Sequence, residues 1–326
     1  MQKEAQICDM NIAHALTRGM GWGSCEPPGP ADEAGGVKPQ LNAGSSRLQS
    51  WSGSLEVIKP KQTLLLMITF LVSFAVAGGS EILPLCFFAT FLTISGTTAL
   101  NMWIDRDIDA LMMRTRKRPV PSGELSPVAC AIYGSLLFIS GFFLALYVSV
   151  EFAFVLFLGL IFDILVYTVI LKRKSPYSII FGGIAGAMPA LAGWVAVKGF
   201  SLPGFLIAGI VLLWIPSHIW FIAMHYEEDY RKAGIPMLPL VAGIKKTSQA
   251  IAFSTFLMLL LSIAIYFSAP LSPVYLAIAV PAILIYLTKV IEFYRNPKKD
   301  LTKRMYKLAS ITLSAVFAAM LFGAFL

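Results

Sequence analysis

Charged residues are scarce in this chain of 326 residues, since Asp, Glu, Lys and Arg make up only 13% of it. A soluble globular chain carries about 25%. Hydrophobic residues reach 57%, and the mean hydropathy is +0.74. This composition argues against a soluble protein and predicts a membrane protein that crosses the bilayer several times.

Cysteine is scarce as well. Cys8, Cys25, Cys86 and Cys130 are too few and too scattered for a disulfide framework, and no two of them form a Cys-x-x-Cys pair. Cys86 and Cys130 lie in apolar stretches, where a thiol packs as a small hydrophobic residue. The cysteines therefore offer neither a zinc-binding pair nor a dithiol for redox chemistry.

Long apolar runs are absent from residues 1–53, where Gly, Pro, Ser and Ala dominate. This segment lacks the central apolar block of a signal peptide, and no hydrophobic periodicity in it is long enough to bury a face. We expect a disordered polar tail over residues 1–53, followed by one transmembrane domain over residues 54–326.

After the tail, the chain is a series of apolar runs close to the ~20 residues that a helix needs to cross a bilayer. The nine predicted spans are residues 63–79, 83–103, 127–148, 152–171, 177–197, 202–224, 247–268, 273–291 and 305–325. The expected fold class is an all-α membrane protein.

The net charge of +8 could indicate a nucleic-acid partner, but the positions of the charges argue against one. The loops after the second, fourth, sixth and eighth predicted helices carry five, three, four and five Lys or Arg residues, whereas the alternate loops carry only Lys198. By the positive-inside rule, the N-terminus and the basic loops face the cytoplasm and the C-terminus lies outside. The expected partner is the lipid bilayer, and no nucleic acid is expected.

The few acidic residues include a row at the end of the second predicted helix. Asn101, Asp105 and Asp109 are spaced by four, so they share one face of a helix that continues past the span. Asp107 points the other way and is interpreted as a solvated or paired charge. Oxygen ligands without Cys or His suit Mg²⁺, which uses one or two protein carboxylates together with water and substrate phosphates. The alternative is a charged loop that only sets topology.

A second acidic group, residues 227–229, follows the sixth predicted helix on the same side. Both acidic loops continue with basic residues, prolines and a glycine, which suggests a parallel internal repeat with two acidic corners facing one cavity. An inverted-repeat transporter would place its paired features on opposite sides. Two such corners with basic residues beside them indicate a site for a diphosphate bridged by Mg²⁺.

Three further groups of residues could carry chemistry. Arg114 and Arg118 are again four apart, and Arg binds phosphate oxygens with a bidentate geometry that Lys lacks, although membrane anchoring is the alternative. His218 lies inside the sixth predicted span, where it is either functional or a hydrogen-bonded core histidine. Asp163, inside the fourth span, is either a structural hydrogen-bond partner or a cavity residue.

These residues resemble the motifs of the UbiA superfamily of intramembrane prenyltransferases, in the form found in its protoheme IX farnesyltransferases (heme O synthases). The first motif is Asn101-Met-Trp-Ile-Asp-Arg-Asp-Ile-Asp109, followed by Arg114-Thr-Arg-Lys-Arg-Pro119. Further matches, spread over about residues 54–326, are Lys59-Pro60, Tyr167-Thr-Val-Ile-Leu-Lys-Arg173, Gly182-Gly-Ile-Ala-Gly-Ala-Met-Pro189, Pro216-Ser-His-Ile-Trp220 and Asp229-Tyr-Arg-Lys-Ala-Gly-Ile-Pro-Met-Leu-Pro239.

The resemblance implies nine transmembrane helices around a central cavity, with a cytoplasmic cap of motif-bearing loops, in the cell membrane. It implies an enzyme that uses Mg²⁺ to transfer the farnesyl group of farnesyl diphosphate to a vinyl group of protoheme IX (heme B), giving heme O. Proteins of the heme pathway or of oxidase assembly would be its protein partners. The alternative is a UbiA-type enzyme whose acceptor is an aromatic quinone precursor or a glyceryl-phosphate lipid.

The resemblance also assigns roles to individual residues. Those that would bind the diphosphate through Mg²⁺ are Asp105, Asp109, Glu228 and Asp229. Those that would contact the diphosphate or support the metal ligands are Asn101, Arg114, Arg118 and Lys172. His218 would position heme or handle a proton. Because Met102 replaces an acidic residue of many relatives and the second motif is reduced to Glu228-Asp229, the number of metal ions stays open.

Overall fold

The computed structural model describes residues 56–326, and all regular secondary structure within them is helical. The predicted tail at residues 1–53 lies outside the described residues. The α-helices are α1 (Pro60–Val76), α2 (Leu83–Ile104), α3 (Arg106–Leu111), α4 (Pro127–Val148), α5 (Val150–Leu160), α6 (Ser178–Lys198), α7 (Leu202–His225), α8 (Glu227–Lys232), α9 (Leu238–Ser268), α10 (Pro273–Arg295) and α11 (Lys299–Phe325). A π-helical segment, Ile161–Leu171, continues α5.

Eight of these segments are long and apolar enough to cross a membrane when α5 and the π-helical segment are taken as one. The helix α1 is also apolar but has only 17 residues. Together, these segments of the described chain follow the order of the predicted spans, and the short helices α3 and α8 lie between them. The prediction of an all-α membrane fold is confirmed.

Two helices begin earlier than hydropathy predicts. The helix α9 starts at Leu238 rather than at residue 247, and α11 starts at Lys299 rather than at residue 305. Charged residues near these starts hide them from a hydropathy pattern: Lys245 and Lys246 in α9, and Lys299, Asp300, Lys303 and Arg304 in α11. In α9, Gly243 has φ +81°, a left-handed backbone that glycine adopts without a steric penalty. The helix is kinked there, and the kink separates residues 238–242 from the membrane-spanning part.

Glycine also allows α2 and α4 to pack closely. A Cβ atom added at Gly96 would lie 2.6 Å from the carbonyl oxygen of Gly134, and one added at Gly141 would lie 2.7 Å from the carbonyl oxygen of Ala89. Small residues at helix contacts are typical of membrane bundles, where van der Waals packing drives association. This close contact holds α2 in place and so positions the residues at its C-terminal end, among them Asn101.

The two motif loops come together at one end of the bundle, where α2 and α7 finish; we call this the motif end. Apolar side chains of α3, α8 and the residues beside them form a small separate core against the end of α7. Its members are Ile108, Met112, Ala223, Tyr230, Ile235 and Met237. The short helices α3 and α8 are therefore held by burial of apolar surface.

Candidate active site

A cavity of about 500 Å³ opens among the helices at the motif end. Charged side chains line one part of it, and apolar and aromatic side chains line the part deeper in the bundle. The sequence-predicted residues that line it are Asn101, Asp105, Asp109, Arg114, Arg118, Lys172 and His218, together with Asp163. The structure thus brings most of the predicted site to one place.

The row Asn101, Asp105 and Asp109 forms one wall of this cavity. The helix does not run unbroken past the second span, because α2 ends at Ile104 and α3 begins at Arg106. However, the N–H of Asp105 donates to the carbonyl oxygen of Asn101 (3.0 Å), and the N–H of Asp109 donates to that of Asp105 (2.8 Å). Because these i to i−4 hydrogen bonds persist, the three side chains stay on one face.

Both carboxylates of the row are buried and paired with cations. Nζ of Lys172 lies 2.5 Å from Oδ2 of Asp105, and Nη1 of Arg118 lies 2.5 Å from Oδ2 of Asp109. Burial works against the ammonium charge of Lys172, but Tyr167 and the Asp105 carboxylate outweigh it and hold the pKa of Lys172 above its ordinary value. The second oxygen of Asp105, Oδ1, is buried without a hydrogen-bond partner in the described chain.

Lys59 is a site residue that the sequence patterns did not single out. Its Nζ donates to Oδ1 of Asn101 (2.7 Å), and Nδ2 of Asn101 donates to Oγ1 of Thr168 (2.8 Å) in the π-helical segment. Lys59 has a left-handed backbone (φ +49°), a costly conformation that is often found at functional sites. Burial, and then the nearby Arg118, lowers the pKa of Lys59 to about 8. In the sequence, Lys59-Pro60 was a match to the superfamily to which no role was assigned.

Arg114 links the two motif loops. Its backbone N–H donates to Oδ2 of Asp229 (3.1 Å), and its guanidinium carbon lies 5.8 Å from the centre of the Tyr226 ring. Arg114 and Arg118 both line the cavity, but the guanidinium of Arg118 is engaged with Asp109. Both predicted arginines therefore line the cavity, but only the guanidinium of Arg118 is in an ion pair with a carboxylate of the described chain.

The second acidic corner does not line the cavity. Asp229 is buried and turned toward the Arg114 backbone, while Glu228 is exposed. Glu227 instead forms an ion pair with Arg231, one turn along α8. The similarity of the two loops predicted two equivalent corners facing one cavity. In this structure Asp105 and Asp109 line the cavity, whereas Asp229 is buried against the Arg114 backbone and Glu228 is exposed.

His218 lies deeper in the cavity, on α7. Its Nδ1 is 3.1 Å from the carbonyl oxygen of Tyr306 on α11, and its ring stacks on Trp214 with 4.7 Å between ring centres. Nε1 of Trp214 donates to the carbonyl oxygen of Ala309, also on α11 (2.8 Å). Both side chains are therefore anchored to α11, and Nε2 of His218 has no partner among the described residues.

Comparison with known proteins identifies the family. The model of the UbiA prenyltransferase family matches residues 66–314, which is most of the chain. The chain belongs to the UbiA prenyltransferase family. As a UbiA protein with several membrane-spanning helices, it is a multi-pass membrane protein and a transferase.

Two proteins named protoheme IX farnesyltransferase are similar to this chain over more than nine tenths of their own length. That of Archaeoglobus fulgidus is 59% identical over 274 residues, which cover 83% of this chain and 98% of that protein. That of Korarchaeum cryptofilum is 46% identical over 271 residues, which cover 82% and 92%. The resemblance stated from the motifs is confirmed.

Solved UbiA structures share the fold. Digeranylgeranylglyceryl phosphate synthase superimposes with a TM-score of 0.73 at 22% identity, covering 85% of this chain and 99% of that one. A UbiA homologue from Archaeoglobus fulgidus bound to DMAPP and Mg²⁺ superimposes with a TM-score of 0.62 at 16% identity, covering 82% and 98%. At these identities, the likeness shows a common architecture.

Proposed function

We propose that this UbiA protein transfers the farnesyl group of farnesyl diphosphate to a vinyl group of protoheme IX, giving heme O. The observation that carries the proposal is one cavity with two kinds of wall: ion-paired Asp105 and Asp109 at the motif end, and apolar and aromatic side chains such as Met188 and Trp214 farther in. A prenyl diphosphate has the same two parts, an anionic head and an apolar tail. The relatives' names support protoheme IX as the acceptor.

The charged part of the cavity suits the diphosphate. Lys59, Arg114, Arg118 and Lys172 all line it, and Arg can bind phosphate oxygens in a bidentate manner. Two of these cations, Lys172 and Arg118, form ion pairs with Asp105 and Asp109. We infer that they exchange these carboxylates for phosphate oxygens when the substrate enters.

Asp105 and Asp109 are the residues that would hold Mg²⁺. The buried, unpartnered Oδ1 of Asp105 fits this role, because a buried carboxylate oxygen without a hydrogen bond is otherwise unfavourable. Within residues 56–326, no three carboxylate, imidazole or thiol groups converge as a complete metal site, so the other ligands would be diphosphate oxygens and water. When bound, Mg²⁺ would neutralise charge on the departing diphosphate. We propose that Asp229 positions Arg114 and that Glu228 supports the site from outside.

The chain's own residues would promote ionisation of the allylic C–O bond. As this bond breaks, negative charge grows on the diphosphate, where the Lys172 ammonium and the Arg118 guanidinium stabilise it. The apolar wall excludes water from the farnesyl cation, and the aromatic residues Tyr167 and Trp214 line the same cavity. The vinyl electrons then form the new C–C bond, and water adds to the resulting cation and loses a proton.

His218 is proposed to hold heme through its iron. Nδ1 of His218 lies 3.1 Å from the Tyr306 carbonyl oxygen and 3.3 Å from Oγ of Ser310. Because a carbonyl oxygen can only accept, the first contact is a hydrogen bond in the tautomer whose proton is on Nδ1, and in that tautomer Nε2 keeps its lone pair. A backbone carbonyl that fixes the tautomer in this way is typical of metal-binding histidines. This contact supports heme positioning over proton handling as the role of His218.

We expect His218→Ala to lose the optical signature of imidazole-bound ferric heme and to bind heme about tenfold more weakly. The matched control is His225→Ala, seven residues away on the same helix, since His225 does not line the cavity and has Thr302 beside its Nδ1. Absorption spectra during a heme titration, on protein without a histidine tag, measure the effect. An unchanged His218→Ala spectrum would rule out iron ligation.

The proposed function is tested by incubating the purified protein with Mg²⁺, farnesyl diphosphate and heme B and searching for heme O by mass spectrometry. We expect heme O, and no product without farnesyl diphosphate. Product formed with 4-hydroxybenzoate or a glyceryl-phosphate lipid, and none with heme, would overturn the acceptor and leave the fold and the diphosphate site intact.

We further propose that the protein lies in the cell membrane and that its motif end faces the cytoplasm, because the basic loops lie at this end. The C-terminus would then lie outside. A reporter enzyme fused after Leu326 should therefore be active if it works only outside the cytoplasm, and inactive if it works only in the cytoplasm. Activity at this position of a reporter that works only in the cytoplasm would overturn the proposed orientation.

A further inference from the structure

Asp107 lies between the two carboxylates of the cavity wall but takes no part in the site described above. It forms two hydrogen bonds with one guanidinium: Nη1 of Arg173 lies 2.8 Å from Oδ2, and Nη2 lies 2.8 Å from Oδ1. The two side chains are 59% and 45% exposed, so the pair lies outside the cavity. An isolated exposed ion pair contributes little, but two-bond Arg–carboxylate geometry is the exception.

Two ion pairs therefore join the same two segments from opposite sides. Lys172 bonds Asp105 inside the cavity, and the next residue, Arg173, bonds Asp107 on the outer surface. The four residues connect the start of α3 to the turn that follows the π-helical segment. We call Lys172–Asp105 the inner pair and Arg173–Asp107 the outer pair.

The helix α3 needs such support because it is short and follows a break. It has six residues, and Asp105 interrupts the helical backbone before it with φ −82° and ψ 2°. An isolated helix of this length is not stable in water. Burial of Ile108, and of Met112 directly after the helix, fixes one side of α3, and the outer pair is a polar contact on its exposed side.

The outer pair can also persist while the inner pair changes. In the proposed function, Lys172 leaves Asp105 for a phosphate oxygen, which removes the inner link between the two segments. Asp107 and Arg173 do not line the cavity, so their two hydrogen bonds do not depend on the partner of Lys172.

We propose that Asp107 and Arg173 are positioning residues, which keep Asp105 and Asp109 aligned for Mg²⁺ and diphosphate after Lys172 has released Asp105. The inference rests on the proposed function for its substrate. It predicts that loss of the outer pair weakens the metal–diphosphate site selectively and leaves the heme part of the cavity unaffected.

The test compares Asp107→Asn, Arg173→Gln and the double variant with Glu292→Gln, a control that removes one charge from the exposed Lys289–Glu292 pair on α10. We expect each single variant to raise both the KM for farnesyl diphosphate and the Mg²⁺ concentration for half-maximal activity about tenfold, with the KM for heme unchanged. Because the two residues act as one unit, the double variant should be no worse than either single variant. Glu292→Gln should match the wild type.

Several outcomes would overturn the proposal. A lower unfolding temperature with unchanged Mg²⁺ and diphosphate constants would show a contact that serves only folding. Additive effects in the double variant would show that the two residues act separately. Calorimetric titration of farnesyl diphosphate with Mg²⁺, without any acceptor, tests the same variants directly, so an error in the proposed acceptor would be recognised apart from an error in this inference.

Discussion

Replacing Asp105 with Asn is expected to lower kcat/KM for farnesyl transfer by about 10³-fold. The amide keeps the size of the side chain but removes the negative charge that Mg²⁺ binding would need. It also removes the charge opposite Lys172, whose Nζ lies 2.5 Å from Oδ2 of Asp105. Steady-state assays at saturating Mg²⁺, with the product quantified by mass spectrometry, measure the loss.

The control for this substitution is again Glu292→Gln, which should keep activity within about twofold of the wild type because exposed ion pairs contribute little. Thermal unfolding in detergent shows whether Asp105→Asn is folded. A folded variant that keeps more than about a tenth of the wild-type activity would mean that the carboxylate row only sets membrane topology, and the metal assignment would be wrong.

The geometry of the first motif could be predicted from spacing because it is local. Asn101, Asp105 and Asp109 are separated by four residues, and the i to i−4 hydrogen bonds survive the break at Asp105. The membrane spans could be predicted for a similar reason, since each depends only on the apolar content of its own segment. Errors arose where charged residues lie inside a helix, as at the start of α11.

The rest of the site depends on contacts between distant segments, which spacing does not report. Lys59 meets Asn101 across 42 residues, and Lys172 meets Asp105 across 67. The second acidic loop repeats the residue types of the first, yet Asp229 turns to the backbone of Arg114 and not to the cavity. The residue types at each corner were therefore visible in the sequence, whereas their directions follow from packing.

The π-helical segment was also beyond the reach of hydropathy, because its residues are as apolar as those of an α-helix. Its wider turn changes which residues face inward, and it supplies Asp163, Tyr167 and Thr168 to the polar network or the cavity wall. Such segments are rare and are frequently found at functional sites. Of the two roles considered for Asp163, a structural hydrogen-bond partner or a cavity residue, the structure supports the second, because Asp163 lines the cavity.

Replacing Lys172 with Met is expected to reduce stability as well as activity. Met keeps most of the length of the side chain but removes the ammonium, so Asp105, whose side chain is only 2% exposed, loses its partner. Removal of one member of a buried ion pair typically costs about 3–5 kcal/mol, because the remaining charge is left buried and unpaired. Thermal unfolding in detergent should show a clear decrease, and farnesyl transfer should fall by about 10²-fold or more because the diphosphate loses a cation.

The double variant Asp105→Asn, Lys172→Met separates the two effects. With both charges gone, no unpaired charge remains, so the unfolding temperature should return most of the way to the wild-type value, whereas activity should stay at the level of Asp105→Asn. A double variant less stable than Lys172→Met would contradict the pairing. A double variant that regains activity would show that the pair serves folding alone. Because a structural ion pair and a catalytic one predict opposite results for activity once stability is restored, this comparison distinguishes them.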